Sequence, residues 1–213
     1  MNRFGSFAAA VLAGACLLFG ARSADGQVVA EPAMLTAGIP AGETFLPYIA
    51  IPDNSFVLGG MIRFAVADDI DIGGRAGLWL IDDAKDTPFA GADLRYGLLG
   101  RRLSSGGGLF HLSFDVGLGV SEPSATVWKF PVGFLAGIGF RLAGGDSEIF
   151  TFPRLELGVS SGDDSSDVAL MLDLGGLFTI TPRFGVMLDL RFGDGNFGEG
   201  DAVVVGLGGV WRL

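Results

Sequence analysis

From Leu109 to Val120 the chain reads LFHLSFDVGLGV. Phe110, Leu112, Phe114, Val116, Leu118 and Val120 alternate with His111, Ser113, Asp115, Gly117 and Gly119. A period of two places the two sets on opposite faces of a β-strand. The alternation recurs along the chain. Over Ser55–Ala67, Phe56, Leu58, Ile62, Phe64 and Val66 oppose Val57, Gly59, Met61, Arg63 and Ala65; over Ile70–Ile81, Ile70, Ile72, Leu78 and Leu80 oppose Asp71, Gly73, Arg75, Gly77 and Trp79. Over Phe89–Gly100, Ala92, Leu94, Tyr96 and Leu98 oppose Gly91, Asp93, Arg95 and Gly97.

The second half continues the rule. Trp128, Phe130, Val132, Phe134, Ile138, Phe140 and Leu142 oppose Lys129, Gly133, Gly137, Gly139 and Arg141. Leu155, Leu157 and Val159 oppose Arg154, Glu156 and Gly158, and Val168 to Leu174 oppose Asp173 and Gly175. Phe184 to Phe192 oppose Arg183, Gly185, Asp189, Arg191 and Gly193, and Val203, Val205, Leu207, Trp211 and Leu213 oppose Gly206, Gly208 and Arg212. A further strand over Glu43–Ile51 pairs back through Pro52-Asp53-Asn54. The pattern therefore predicts an all-β fold of ten strands, with eight as the alternative if two segments lie outside the wall. Several runs match or exceed the ~9–11 residues with which a tilted barrel strand crosses a bilayer, against ~5–6 in soluble sheets.

The phase of the glycines decides which face meets water. Glycine falls with arginine and aspartate, and a water-facing strand surface gains nothing from it. In a narrow lumen, an arginine on one strand needs a missing side chain on the next. The polar, glycine-rich face thus points inward and the Phe, Leu and Val face points to lipid. A mid-membrane arginine aimed at lipid would cost roughly 2–4 kcal/mol. The expectation is one closed, up-and-down antiparallel transmembrane β-barrel over residues 43–213, closed because an open edge in hydrocarbon leaves backbone groups unpaired.

Composition agrees. The chain of 213 residues is 49% apolar and only 18% charged, with 36 Gly and 18 Phe. Arg3 followed by the apolar run Phe7–Ala21 and a small-residue site before Ala24 predicts a signal peptide over residues 1–23, then an N-terminal periplasmic segment over 24–42. Loss of residues 1–23 removes Arg3 and Arg22 and moves the formal charge from −10 to −12, which disfavours nucleic acid. The single cysteine, Cys16, leaves with that peptide, so the mature chain carries no disulfide and no thiolate chemistry. No metal or cofactor is expected.

With these strands placed, the chain resembles small bacterial outer-membrane β-barrel proteins, the OmpA/OmpX-like group in the broad sense. The resemblance rests on the signal segment, the repeated strand pattern and the last strand AVVVGLGGVWRL, which looks like the C-terminal insertion signal of such proteins, with Trp211 as its aromatic and Leu213 as its final residue. It implies insertion by the outer-membrane assembly machinery through that strand, a location in the bacterial outer membrane and outer-membrane lipid as surroundings. The group hosts structural, adhesive, channel and enzymatic members.

Candidate chemistry lies on the inward face. Arg63, Asp71, Arg75, Asp93, Arg95, Arg141, Arg154, Glu156, Asp173, Asp189 and Arg191 are expected to fill the lumen as an ion-paired core, with pairs such as Asp71 with Arg75, Asp93 with Arg95, Arg154 with Glu156, and Asp189 with Arg191. A charge-lined ion pathway is the alternative. His111, Ser113 and Asp115 share that face. Lipid A deacylases, themselves small outer-membrane barrels, carry a similar His-x-Ser motif and use a Ser/His/acid triad, with Asn usual where Phe114 stands here. This register aims the three residues into the lumen, away from lipid, so the reading is lumen packing and no enzymatic activity. Trp128, Phe140, Phe192 and Trp211 lie near strand ends and fit aromatic girdles. The acidic connections SSGDDSSD and GDGNFGEGD belong to the set expected to face outside. The function read from sequence is structural or surface interaction; a narrow channel for ions or small solutes comes second, and a lipid A-modifying enzyme third.

Overall fold

The computed structural model describes residues 33–40, 42–52, 55–81, 86–103, 108–122, 126–161, 166–193 and 203–213. The expected signal peptide, residues 24–32 and most of the acidic connections lie outside the described residues.

The ten strands are β1 (Glu43–Ile51), β2 (Ser55–Ala67), β3 (Ile70–Ile81), β4 (Thr87–Arg102), β5 (Leu109–Ser121), β6 (Val127–Leu142), β7 (Gly145–Ser160), β8 (Ser166–Thr181), β9 (Phe184–Gly193) and β10 (Val204–Arg212). Each pairs antiparallel with its neighbours in sequence, and β10 returns to β1 to close the barrel. The closing seam runs from Thr44↔Arg212 to Ile51↔Val205. Ten strands, not eight, form the wall, because Glu43–Ile51 takes ladder partners on both sides despite Pro47.

Three hairpins turn on two residues, Asp68-Asp69, Ala143-Gly144 and Pro182-Arg183. All three lie at the end of the barrel where β1 begins and β10 finishes, here called the terminal end; the opposite end is the loop end. β7 begins earlier than its periodicity suggested. Glu148, ahead of the alternating run that starts at Arg154, is a buried residue of β7. Gly145 opens β7 with φ +142°, a conformation open to glycine at no steric cost, and lets the strand leave its tight turn.

Inside and outside follow the glycine argument. Leu58, Phe64, Leu94, Leu118, Phe134, Leu155, Leu174 and Leu188 project from the wall and are exposed, while Arg63, Asp71, Asp93, Arg95, Arg154, Asp173 and Asp189 are buried. A protein stable in water does the reverse. The outer surface is a continuous apolar belt of the kind a membrane-spanning barrel presents. Trp128 and Phe192 lie outward at the loop end; Phe140 and Trp211 lie outward at the terminal end, where Trp211 packs on Phe184 with ring centroids 4.8 Å apart.

Candidate functional site in the barrel lumen

The lumen is built from charged side chains set opposite glycines. Asp71 on β3 accepts from Arg63 Nε and Nη2 at 3.0 and 2.8 Å, and from Arg95 Nε and Nη2 at 3.1 and 2.5 Å. Arg63 reaches on to Asp93 Oδ1 at 2.6 Å, and Arg75 to Asp93 Oδ2 at 3.2 Å. Arg63 on β2 and Asp93 on β4 are separated by β3, and both are in register with Gly73. A Cβ at Gly73 would sit 2.5 Å from Arg63 Nη1 and 2.8 Å from Asp93 Oδ2. The missing side chain lets the ion pair cross a strand.

A second cluster occupies the other wall. Lys129 Nζ meets Glu156 Oε1 at 2.6 Å, and Arg154 Nε lies 3.5 Å from Asp173 Oδ2. Arg191 is buried beside its register partner Asp173 and reaches Met171 Sδ at 3.2 Å. These pairs run between strands, where the sequence predicts pairs along one strand. Asp71, expected beside Arg75, is held by Arg63 and Arg95. Arg95 lies directly opposite Asp71, where Cβ atoms are ~4.5–5.5 Å apart, and the other neighbouring-strand pairs are diagonal, a separation of ~7–8 Å that long arginine and lysine side chains span. Arg141 is a second correction. Its side chain is 81% exposed and pairs with Asp146 at 3.1 Å, because it stands one residue before β6 ends and lies beyond the packed lumen.

His111, Ser113 and Asp115 all face the lumen but are not brought together. His111 Nδ1 lies 3.0 Å from Glu148 Oε2, and the Ser113 hydroxyl donates to the Ala37 carbonyl. Asp115 is four residues along the same strand from His111, about 13 Å at strand rise, opposite Arg95 in register.

The partner of Ser113 is the feature that periodicity did not show. Residues 33–38, expected in the periplasm, run inside the barrel as a strap. Ala33, Met34, Leu35 and Ala37 are all buried. The strap is held through its main chain. Ala33 N–H donates to Asp173 Oδ1 at 3.1 Å, Met34 N–H to Asp189 Oδ2 at 2.7 Å and Ala37 N–H to Glu148 Oε1 at 2.6 Å. Gly38 N–H shares the Glu148 carboxylate, and Arg95 donates to the Thr36 carbonyl. Glycines cut its path: a Cβ at Gly208 would meet Met34 Cε at 2.7 Å, and one at Gly137 would meet Ala37 Cβ at 2.9 Å. Gly42, with φ +114°, turns the chain from the lumen into β1.

Barrel size accounts for the strap. Eight strands enclose a space that side chains just fill, and the bore grows with strand number. Ten strands with a glycine-lined inner face leave room for one extended chain. Met34, Leu35 and Ala37 pack there with Leu46, Met61, Trp79, Leu135 and Phe152 in one apolar cluster.

The two kinds of glycine respond oppositely to substitution. A Cβ at inward Gly133 would lie 2.6 Å from Arg154 Cβ and 2.7 Å from Phe152 Cε2, and would overlap the Pro153 carbonyl. Outward Gly74 has nothing within 4 Å of that position. Gly133→Ala is expected to destabilise by about 1–3 kcal/mol through overpacking. Gly74→Ala is expected to stabilise by about 0.4–1 kcal/mol by restricting the unfolded chain. Urea unfolding in lipid vesicles, followed by tryptophan fluorescence, measures both.

No protein-family model matches the chain, and no curated protein matches it. Among solved structures it is similar to one from the de novo design of transmembrane β-barrels, with TM-score 0.35 and 14% identity over 82% of this chain and 98% of that one. It is similar to the outer membrane protein Omp33 of Acinetobacter baumannii, with TM-score 0.34 and 10% identity over 81% of this chain and 98% of that one. It is also similar to OmpT, an outer membrane protein of Vibrio cholerae, with TM-score 0.31 and 8% identity over 86% of this chain and 100% of that one.

Proposed function

We propose that the protein is an integral barrel of the bacterial outer membrane with a structural or surface-interaction role, closed at rest and without enzymatic activity. The observation that carries this reading is the inverted wall: leucine and phenylalanine exposed outside, arginine and aspartate buried inside. A polypeptide in water has no reason to bury its charges and expose its apolar belt, whereas in lipid each choice lowers the free energy. The reading includes export through a signal peptide cleaved near Ala24 and insertion by the assembly machinery acting on the last strand, Val204–Arg212. The terminal end, with its two-residue hairpins, faces the periplasm, and the acidic connections face outside. In this reading the chain is OmpA/OmpX-like only in the broad sense, since barrels of that type have eight strands.

A lumen filled by ion pairs and a strap supports a closed state. The Ser113 hydroxyl, committed to the Ala37 carbonyl, supports packing rather than catalysis at His111 and Ser113. The test is membrane fractionation with heat-modifiable gel migration, followed by planar-bilayer recording of the purified protein. The expected result is an outer-membrane protein that migrates faster unboiled than boiled and gives no conductance steps. A polypeptide soluble without detergent, or a steadily conducting one, would overturn the reading.

A further inference from the structure

We infer that the barrel is a latent cation pore and that the strap, residues 33–38, is its removable stopper. The inference rests on the membrane-barrel reading and adds a second state to it. Four observations support it.

The strap is docked, not woven in. Its bonds to the wall run from its own backbone to side chains of Asp173, Asp189, Glu148, Arg95 and Ser113. The wall ladders run from β1 to β10 without it. Withdrawing the strap therefore breaks no strand pairing.

The strap is also strained. Met34 has φ +51°, a left-handed conformation that is uncommon for any residue with a Cβ and persists where its surroundings hold it there. Asp189 and the space left by Gly208 supply that hold.

A route exists once the strap leaves. A cavity of about 70 Å³ lies in the loop-end half of the lumen, lined by Arg75, Asp93, Asp115, Lys129 and Glu156, and Leu35 of the strap forms part of its wall. The strap continues from Leu35 past Ala37, beside Glu148, to Gly42 at the terminal end. Its withdrawal joins the cavity to that end.

The exposed lining would favour cations. Glu148 and Asp189 spend carboxylate oxygens on strap N–H groups and would turn them to the opened path. Asp115, 2% exposed and on the cavity wall, has an Oδ1 without a hydrogen-bond partner among the described residues. Arg63, Arg75, Arg95 and Lys129 are each tied to a carboxylate. Carboxylates facing a narrow bore select cations, and a chain of formal charge −12 after loss of residues 1–23 raises their local concentration.

The test records single channels in planar bilayers under a potassium chloride gradient. It compares the full chain, a chain beginning at Ile39, and the full chain carrying Glu148→Gln with Asp189→Asn. Heat-modifiable migration first establishes that each has folded. The full chain is expected to be silent. The chain beginning at Ile39 is expected to give discrete steps whose reversal potential shifts toward that of potassium, and a peptide of residues 33–40 added from the terminal end is expected to block them. The double variant, which keeps the strap but weakens its acceptors, is expected to open intermittently. A folded chain beginning at Ile39 that stays silent or passes chloride preferentially overturns the inference. If that chain does not fold, the double variant decides: openings support the stopper and silence overturns it. Failure of the membrane-barrel reading would look different, as a full chain that neither inserts nor shows heat-modifiable migration.

Discussion

Asp71→Ala is expected to lower the unfolding free energy by about 3–5 kcal/mol, the range seen when one member of a buried ion pair is removed. Asp71 is fully buried and accepts two hydrogen bonds from each of Arg63 and Arg95. Its loss leaves Arg63 with Asp93 as its remaining carboxylate contact and leaves Arg95 donating to the Thr36 carbonyl and hydroxyl. The cost comes from stranded charge more than from lost attraction, since a buried guanidinium without a counter-ion forfeits its hydration for little return. Asp71→Asn keeps an acceptor and the side-chain shape, so it is expected to fall between wild type and alanine. Asp146→Ala is the control. It removes an ion pair whose side chains are 81% and 77% exposed, so the unfolding midpoint should not move. Urea titration of vesicle-inserted protein reads all three. Equal effects from Asp71→Ala and Asp146→Ala would mean that the lumen is wet enough for its charges to behave as surface charges.

The same cluster shows what the sequence made legible. Alternation put Arg63, Asp71, Asp93 and Arg95 on one face, and the glycines on that face showed it was the crowded one. Both inferences use only the period of two and the size of an arginine. The partners were not legible, because pairing across strands depends on register. Gly73 takes its role from lying between Arg63 and Asp93 on neighbouring strands, and alternation within one strand says nothing about which residues lie opposite. Arg141 was misplaced for a related reason: phase gives direction, not depth, and it stands at the rim.

The strap was the larger miss. Residues 33–38 read AMLTAG, with no period and no charge. A segment bonded through its backbone to someone else's side chains leaves no pattern of its own. Two signals were nevertheless present. A run as apolar as Ala33-Met34-Leu35 is out of place in water, and ten strands with glycine inside enclose more room than the wall's own side chains occupy. Glu148 was missed because the early part of β7, with Ser147 and Thr151 among its apolar residues, alternates weakly.

Leu174→Arg is expected to cost roughly 2–4 kcal/mol, and Val168→Arg, nearer the strand end, roughly 0–1 kcal/mol. Both residues project outward from β8 and are exposed, at 41% and 57%. Leu174 lies midway along Ser166–Thr181 and Val168 near its loop end. In water both would be mild, because a change at an exposed position moves stability by no more than about 0.5 kcal/mol. Depth in hydrocarbon separates them. The mid-strand guanidinium must drag water inward or thin the bilayer, whereas the one near the rim reaches the headgroups. The pair therefore separates two surroundings for the same fold: in water the substitutions are equivalent and mild, and in lipid they differ by the depth of one strand. Vesicle-based urea unfolding decides between them. Two equal, small effects would mean that the apolar belt faces something other than acyl chains.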